Sequence, residues 1–441
     1  TSHTGNWSVW HRGVTSPNSS WWLNYGLLTS TNAFNYWGDN TGLYSEPTST
    51  SFVLGSGTND LNASERTYVA YLFAHNDDDG GFGEPGDQDI IKCGATGAYT
   101  AGTPLAVNLG FEPQWILVKQ YDSADGWYIT DVMRGMEVDE GAYLQPNSNN
   151  AETDSNNYGV AAPTPTGFIL DPGSSSLLAS GNYIYMAIRR GGMQTPTAAS
   201  SVFGLQDYTS GGDGPVTGIV TDFSIIKDRD ADAANYAATR LLGSNYLTPM
   251  LNSAEVSSSD AIHDRMDGAW NTSFAGYMIW GWQRARGYFD VVAYSGTGSA
   301  RTISHNLGAV PEMMWVKKRS GSNNWKTFHS SLGATKSMEL NTTVEAETNG
   351  SALWNSTTPT ASVFTLGSAG DVNSSSHTYV AYLFATVANV SKVGSFTQSG
   401  ATNVACGFTG DTPALIILKR TDDTGNWYIL DSVRGIVAGN D

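Results

Sequence analysis

The heptapeptide YVAYLFA occurs twice in this chain, from Tyr68 to Ala74 and again from Tyr379 to Ala385. Looser copies stand between them: YIYMAI from Tyr183 to Ile188 and YMIWGW from Tyr277 to Trp282. A short, nearly unbroken run of aromatic, β-branched and aliphatic residues is the pattern of a strand with little of either face left to water. Its return makes the chain an internal repeat, to be read one unit at a time.

Two further registers keep step with that strand. Pro113, Lys119 and Trp127 are spaced by six and eight residues, as are Pro311, Lys317 and Trp325, and Pro413, Lys419 and Trp427. Pro47, Phe52 and Leu54 match Pro163, Phe168 and Leu170, and Pro359, Phe364 and Leu366. The lysines at 119, 227, 317 and 419 stand 108, 90 and 102 residues apart. That is the length of a small β-sandwich, and well beyond a solenoid repeat. The expected fold is all-β, a tandem array of jelly-roll-like sandwich domains cut at both ends. The divisions are a partial repeat 1 at 1–76, repeat 2 at 89–190, a divergent repeat 3 at 201–286, repeat 4 at 287–387 and a partial repeat 5 at 388–441.

Repeat 4 reads as seven strands: YFDVVAYSG, ARTISHNL, EMMWVKK, NWKTFHSS, KSMELN, SVFTLGS and HTYVAYLFA. The third and seventh are the most apolar and should be central. Between lysine and tryptophan lie QYDSADGW, KRSGSNNW and RTDDTGNW, rich in residues that accept left-handed backbone or form Asx turns, so each is a hairpin tip. Repeat 3 departs from the pattern. Tyr236 stands one past its tryptophan position, and ATRLLGSNYL is expected to hold a helical insert.

Charged residues are 15% of the chain, against roughly 25% in ordinary soluble domains. The net charge of −18 and the lack of Lys/Arg clusters argue against nucleic acid and anionic membranes as partners. No stretch of the sequence is long and apolar enough for a transmembrane helix. Cys93 and Cys406 fall at positions where other repeats carry Val393 and Leu109, and read as buried free thiols rather than a disulfide or metal framework.

Convergent chemistry is sparse. The chain has no G-x-S-x-G, H-E-x-x-H, P-loop or dinucleotide fingerprint, and its seven histidines lack metal-ligand spacing. The expectation is that it is not an enzyme and has no catalytic residues. Asp131 with Glu137, or Asp264 with Asp267, are carboxylate pairs that any acidic protein offers. No bound cofactor is expected. Calcium is the alternative for two acidic segments, Asp228, Asp230 and Asp232, and the loop of Asp77, Asp78, Asp79, Glu84, Asp87 and Asp89. The first places Ala233 where an EF-hand has glycine and Thr239 where it has glutamate, so hydrated acidic loops are the simpler reading.

Repeats 1 and 4 carry a histidine four residues past the tryptophan, His11 and His329, where repeats 2 and 5 carry Asp131 and Asp431 followed by Arg134 and Arg434. Both sets read as structural, the aspartates as ion pairs or turn braces. The recurring tryptophans read first as core anchors. Trp21, Trp22, Tyr36, Trp37 and Tyr44 are different, an excess of aromatics in one repeat alone, and are the candidate surface contact.

HNLGAVPEMMWVKKRSGSNNWKTFHSSLG, WYILDSVRGIVAGND, PTASVFTLGS and TYVAYLFA resemble tandem domains of virion proteins from marine bacteriophages, commonly tail or fibre proteins of cyanophages and their relatives. The resemblance covers repeats 2, 4 and 5 well, repeat 1 moderately and repeat 3 poorly. It implies a structural component on the virion surface, a tail fibre or other appendage. Its partners would be other copies of itself, other virion proteins and a host-surface glycan or receptor, in a homo-oligomer. A secreted glycan-binding or glycan-cleaving protein, or a bacterial surface adhesin, would share the composition.

Overall fold

The computed structural model describes residues 6–14, 24–36, 42–56, 61–75, 89–138, 141–153, 158–173, 175–191, 194–208, 216–258, 263, 268, 276–410 and 412–436. The chain forms two compact units, Thr1–Asp131 with Asp139–Gly191, and Val132–Val138 with Gly192–Asp441. Strands pair antiparallel throughout the described residues, and none of their sheets closes into a barrel.

In the first unit, β1 (Ser8–Val9), β2 (Asn24–Leu27) and β3 (Asn35–Tyr36) form one sheet in that order. β4 (Ile91–Tyr99), β5 (Leu105–Asn108), β6 (Pro113–Gln120), β7 (Trp127–Asp131), β8 (Ala161–Thr164), β9 (Gly167–Leu170) and β10 (Gly181–Arg189) make two more. Their orders are β4-β10-β6-β7 and β5-β9-β8. The YIYMAI strand β10 is thus central, with Tyr183, Ile184, Tyr185 and Ala187 buried. Phe168 of β9 meets Tyr185 edge to face at 5.4 Å, which lays the smaller sheet against the larger. A Cβ on Gly167 would run into the Val107 carbonyl, so only glycine lets β9 approach β5 there.

The second unit holds β11 (Phe203–Tyr208), β12 (Phe223–Asp228), β13 (Asn235–Thr239), β14 (Asn245–Tyr246), β15 (Val256–Ser257) and β16 (Tyr277–Trp282) from repeat 3. Their order is β11-β16-β12-β13, with β14-β15 a separate pair. Repeat 4 supplies β17 (Phe289–Ser295), β18 (Arg301–Ser304), β19 (Met313–Lys318), β20 (Lys326–His329), β21 (Lys336–Glu339), β22 (Glu347–Thr348), β23 (Val363–Leu366), the one-turn α1 (Gly370–Asn373) and β24 (Thr378–Phe384). These form β17-β24-β19-β20-β21-β22 and the pair β18-β23, and β25 (Leu415–Lys419) pairs with β26 (Trp427–Asp431). All seven strands read for repeat 4 are present, with the third and seventh adjacent inside the sheet.

β24 explains why its sequence does not alternate. Tyr379, Ala381 and Leu383 face a cluster with Ile303, Phe364 and Leu366 of the β18-β23 layer, the interior of a sandwich. Val380, Tyr382 and Phe384 face the other way, into a cluster with Phe223, Trp280 and Trp282 of repeat 3. Phe223 is fully buried there, its ring 4.4 Å from that of Tyr382 and 5.7 Å from that of Phe289. One strand therefore serves two cores, and repeats 3 and 4 share one of them.

Two expectations change. The stretch Ala238–Leu247 holds no helical insert beyond a single 3₁₀ turn, Arg240–Leu242, because Ala238 and Thr239 continue β13 and Asn245 already pairs with Ser257. Cys93 is buried, as its core position implies, but Cys406 is only half-buried; both thiols are free.

Phe223→Ala should lower the unfolding free energy of the second unit by about 3–5 kcal/mol, the cost of emptying an aromatic core site. Urea denaturation followed by tryptophan fluorescence measures it, and a loss under about 1 kcal/mol would contradict the shared core.

Candidate functional site

The PQWILVK strand and the strand after it make a hairpin in which lysine and tryptophan stand opposite one another: Lys119 with Trp127 and Lys419 with Trp427. In repeat 3 the residue opposite Lys227 is Asn235. The ammonium folds back over its own loop. Lys119 Nζ donates to Asp125 O at 2.8 Å, Lys317 Nζ to Gly321 O at 3.4 Å, and Lys227 and Lys419 to the carbonyls of Ala233 and Gly425. These are orphan carbonyls of a loop too long for a tight turn, and a flexible cation reaches them.

The same hairpin grips a turn of the preceding repeat. Lys119 Nζ donates to Thr31 O at 3.1 Å, Lys317 Nζ to Asn252 O at 3.3 Å and Lys419 Nζ to Thr343 O at 3.0 Å. The indole N–H bonds four residues earlier in the same turn: Trp127 to Leu27 O at 2.9 Å, Trp325 to Thr248 O at 3.3 Å and Trp427 to Glu339 O at 2.9 Å. Backbone bonds lock the register in both directions. Asp125, Asn323 and Gly425 donate their N–H to Thr31, Asn252 and Thr343 at 2.8, 2.8 and 2.9 Å. In return Phe34, Glu255 and Ala346 donate to Tyr121, Arg319 and Thr421 at 2.9, 2.9 and 3.0 Å. Three joints use the same atoms at the same spacing.

The acceptors are all peptide oxygens, so the turn that receives the hairpin can carry any side chains, and Leu27, Thr248 and Glu339 have nothing in common. The donors cannot vary so freely. Only a long cation and an indole place N–H groups at those two points. Burial pushes the ammonium of Lys119 and of Lys317 down to about 8 and lowers that of Lys419. The carbonyl acceptors oppose that shift by solvating the charge.

The hairpin of repeat 4 also shapes the turn that repeat 5 grips, and the hairpin of repeat 2 makes the same internal bond. Asn147 Oδ1 accepts the N–H of Trp127 at 2.7 Å, and Asn341 Oδ1 that of Trp325 at 2.9 Å. At the joint of repeats 3 and 4, the fully buried Arg319 adds an ionic lock. Its Nε donates to Glu255 at 2.8 Å and its terminal nitrogen to Glu137 at 2.8 Å, with Asn245 donating to the same Glu137 oxygen at 3.3 Å. Two carboxylates around one guanidinium are how a buried charge is tolerated.

The recurring tryptophans are therefore more than core anchors. Trp127 and Trp325 are buried, Trp427 is half-buried, and Trp7 departs from the set at 51% exposure, stacked on Tyr71 at 5.9 Å. Sequence reading missed that these indoles reach the neighbouring repeat. The signal was a lysine returning inside an apolar strand, where a core would not want one.

The histidines are held neutral by a shared bracket. His11 Nδ1 accepts the N–H of Gly13 at 3.0 Å while Nε2 bonds the Tyr185 carbonyl at 3.0 Å. His329 Nδ1 accepts from the N–H of Ser331 at 3.2 Å, and His305 repeats the arrangement with Leu307 and Thr360 at 3.3 and 3.2 Å. Burial lowers all three, His11 to about 4. Asp431 braces its turn as expected: Arg434 Nε donates to Oδ2 at 2.6 Å, and the guanidinium lies 5.3 Å over Trp280, whose N–H reaches the same oxygen at 3.3 Å. Asp131 is buried at the end of β7, and Glu137 is committed to Arg319.

Of the candidate surface contact, Tyr36 on β3 is 46% exposed and Tyr44 60% exposed; Trp21, Trp22 and Trp37 lie outside the described residues. Asp264, Asp267, Asp77, Asp78, Asp79, Glu84 and Asp87 also lie outside them. Asp228 Oδ1 accepts the N–H groups of Asp230 and Ala231 at 2.9 and 3.0 Å, an Asx turn at the hairpin tip, and Asp89 pairs with Lys92 at 3.2 Å.

The fold and the joint define a tandem β-repeat protein whose repeats are coupled by lysine–tryptophan hairpins. The model of the domain of unknown function DUF7483 matches residues 1–190 and 247–439, and the chain belongs to that family. No curated protein and no solved structure matches it. The unmatched span, 191–246, contains the hairpin in which asparagine replaces tryptophan.

Trp427→Phe keeps the ring and deletes one donor, at a cost of about 1 kcal/mol. Amide exchange at Ala346 and Gly425, which bond across that joint, should quicken about fivefold, and unchanged exchange would argue against it. His11 gives a pH test. Its folded pKa lies below the ordinary value, so the unfolded chain binds the proton first. The stability it lends is complete above about pH 6.5 and falls as pH drops toward 4, by up to about 3 kcal/mol. The difference between wild type and His11→Gln should shrink over that window in thermal melts of the first unit, and a pH-independent difference would refute the neutral bracket.

Proposed function

We propose that this chain is a structural protein of a bacteriophage virion, a tail fibre or appendage segment built from tandem β domains. The observation that supports this reading best is the joint. Each of the three joints, between repeats 1 and 2, 3 and 4, and 4 and 5, is made mostly by backbone groups plus one lysine and one tryptophan, a design that couples neighbouring repeats and leaves side chains on the surface free to vary. The resemblance of the repeat motifs to marine phage virion proteins points the same way. A sparse charge and an acidic balance suit an extracellular particle surface.

In this reading the partners are further copies of the chain and other virion proteins, and neither catalysis nor a resident cofactor is assigned. No helix among the described residues is long and apolar enough to cross a membrane. Trp21, Trp22, Tyr36, Trp37 and Tyr44 of repeat 1 are the proposed contact with a host-surface glycan or receptor, by aromatic stacking. The exposure of Tyr36 and Tyr44 favours the same chemistry in a secreted glycan-binding protein, the second reading.

Immunogold labelling of native particles with antibody to this chain separates the two. Label on a tail or other appendage is the expected result, and label absent from virions but present in culture supernatant would overturn it. Tyr36→Ala with Tyr44→Ala should then reduce adsorption to host cells, the effect typical of losing exposed aromatic contacts.

A further inference from the structure

Repeats 2, 3 and 4 each set two tyrosines side by side, one on the opening strand and one on the central strand: Tyr99 with Tyr183, Tyr208 with Tyr277 and Tyr294 with Tyr379. In repeats 2 and 4 all four hydroxyls are spent inside the repeat. Tyr99 bonds Asp171 and Ser176, Tyr183 donates to Ala179 O at 2.8 Å, Tyr294 to Val372 O at 2.8 Å and Tyr379 to Gly370 O at 2.8 Å. These partners all come from the stretch that leads into the central strand.

Repeat 3 is shorter there: from the joint lysine to the central tyrosine it runs 50 residues, against 64 in repeat 2 and 62 in repeat 4. Its Tyr208 is only 8% exposed, yet the hydroxyl meets no partner, and neither does the buried Oε1 of Gln206, the neighbouring residue on the same face of β11. Dry polar atoms without bonds are a standing cost, and two on one face call for a partner from outside the chain. The surroundings are aromatic. Tyr208 packs with Ile226, Ala238 and Ile279 in a small cluster edged by the half-buried Tyr236, Tyr246 and Tyr277. The rings of Tyr236 and Tyr246 meet edge to face at 5.0 Å. Asp228 stands opposite Tyr277 in the β12–β16 ladder, and Asp230 lies against Gly276 beside it.

We propose that this face of repeat 3 binds one neutral pyranose ring of a glycan. A sugar hydroxyl both accepts and donates, so the ring can take the hydrogen of Tyr208 and give one to Gln206 Oε1, the two atoms the fold leaves unserved. The C–H face of the same ring packs on the tyrosines. A purely apolar ligand would leave both polar atoms as they are, and so gains nothing from them. Asp228 and Asp230 at the rim, in a chain of net charge −18, repel a carboxylate or sulfate, which selects an uncharged sugar. Repeats 2 and 4 are barred from the same role, because Asp171 and the Val372 carbonyl already hold the hydroxyls of Tyr99 and Tyr294.

The site shares no residue with the aromatic cluster of repeat 1, so it stands or falls separately from the virion reading and its host contact. Saturation-transfer NMR of the 441-residue chain with glucose, galactose, mannose, fucose and N-acetylglucosamine should show saturable transfer to at least one of them, whose affinity is then titrated. Tyr208→Phe keeps the ring and deletes the unserved hydroxyl, so it should weaken that binding about fivefold and leave the thermal midpoint unchanged or higher. Tyr99→Phe, the same change at a tyrosine whose hydroxyl is bonded, should lower the midpoint of the first unit and leave binding alone. No saturable transfer from any of these sugars, binding indifferent to Tyr208→Phe, or a preference for N-acetylneuraminic acid over the neutral sugars would each overturn the proposal.

Discussion

A strand buried on both faces is the constraint from which the second unit is built. β24 has no solvent side, so its backbone must be paired at both edges and its side chains met from above and below. Inside repeat 4 the edges go to β17 and β19 and the inner face to the β18-β23 layer. The outer face has no such layer within the repeat, and Phe223, Trp280 and Trp282 of repeat 3 close it. Burial of Val380, Tyr382 and Phe384 is thus what binds one repeat to the next, at roughly 1.5–3 kcal/mol for each large side chain.

Hydrophobic contact of that kind is strong but poorly directional, and a stack of sheets held by it alone would slide or twist. The lysine–tryptophan hairpin supplies direction. Its donors are spaced for two carbonyls four residues apart, and the flanking backbone bonds admit a single register, so repeats 2, 4 and 5 are each seated at one angle on their predecessors. Because the acceptors are main-chain oxygens, the device survives wide change in the receiving turn. Where Asn235 replaces the indole, a donor of different reach stands at that point.

Much of this was open to reading from residues alone. Proline, lysine and tryptophan returning at fixed spacing marked the hairpins, and the seven strands of repeat 4 were delimited by their Gly, Ser and Asn clusters, because turn chemistry and strand composition are local. Reading failed where locality ended. ATRLLGSNYL has helix-forming residues, yet Ala238 and Thr239 pair with Ser224 and Phe223, and tertiary pairing overrode propensity. Trp127 was read as a core anchor, since a recurring large aromatic in a strand has that meaning far more often than a bond to a carbonyl a hundred residues away.

From sequence by itself came the period, the strand positions, the hairpins and the central place of YVAYLFA, all consequences of side-chain pattern over a few residues. Only the tertiary structure decided which carbonyls Lys119, Lys317 and Lys419 hold, because a peptide oxygen has no side-chain signature. It alone decided, too, that one YVAYLFA is enclosed and the other open. Whether a strand is covered depends on which other strands reach its edges, and seven identical residues cannot encode two different sets of neighbours.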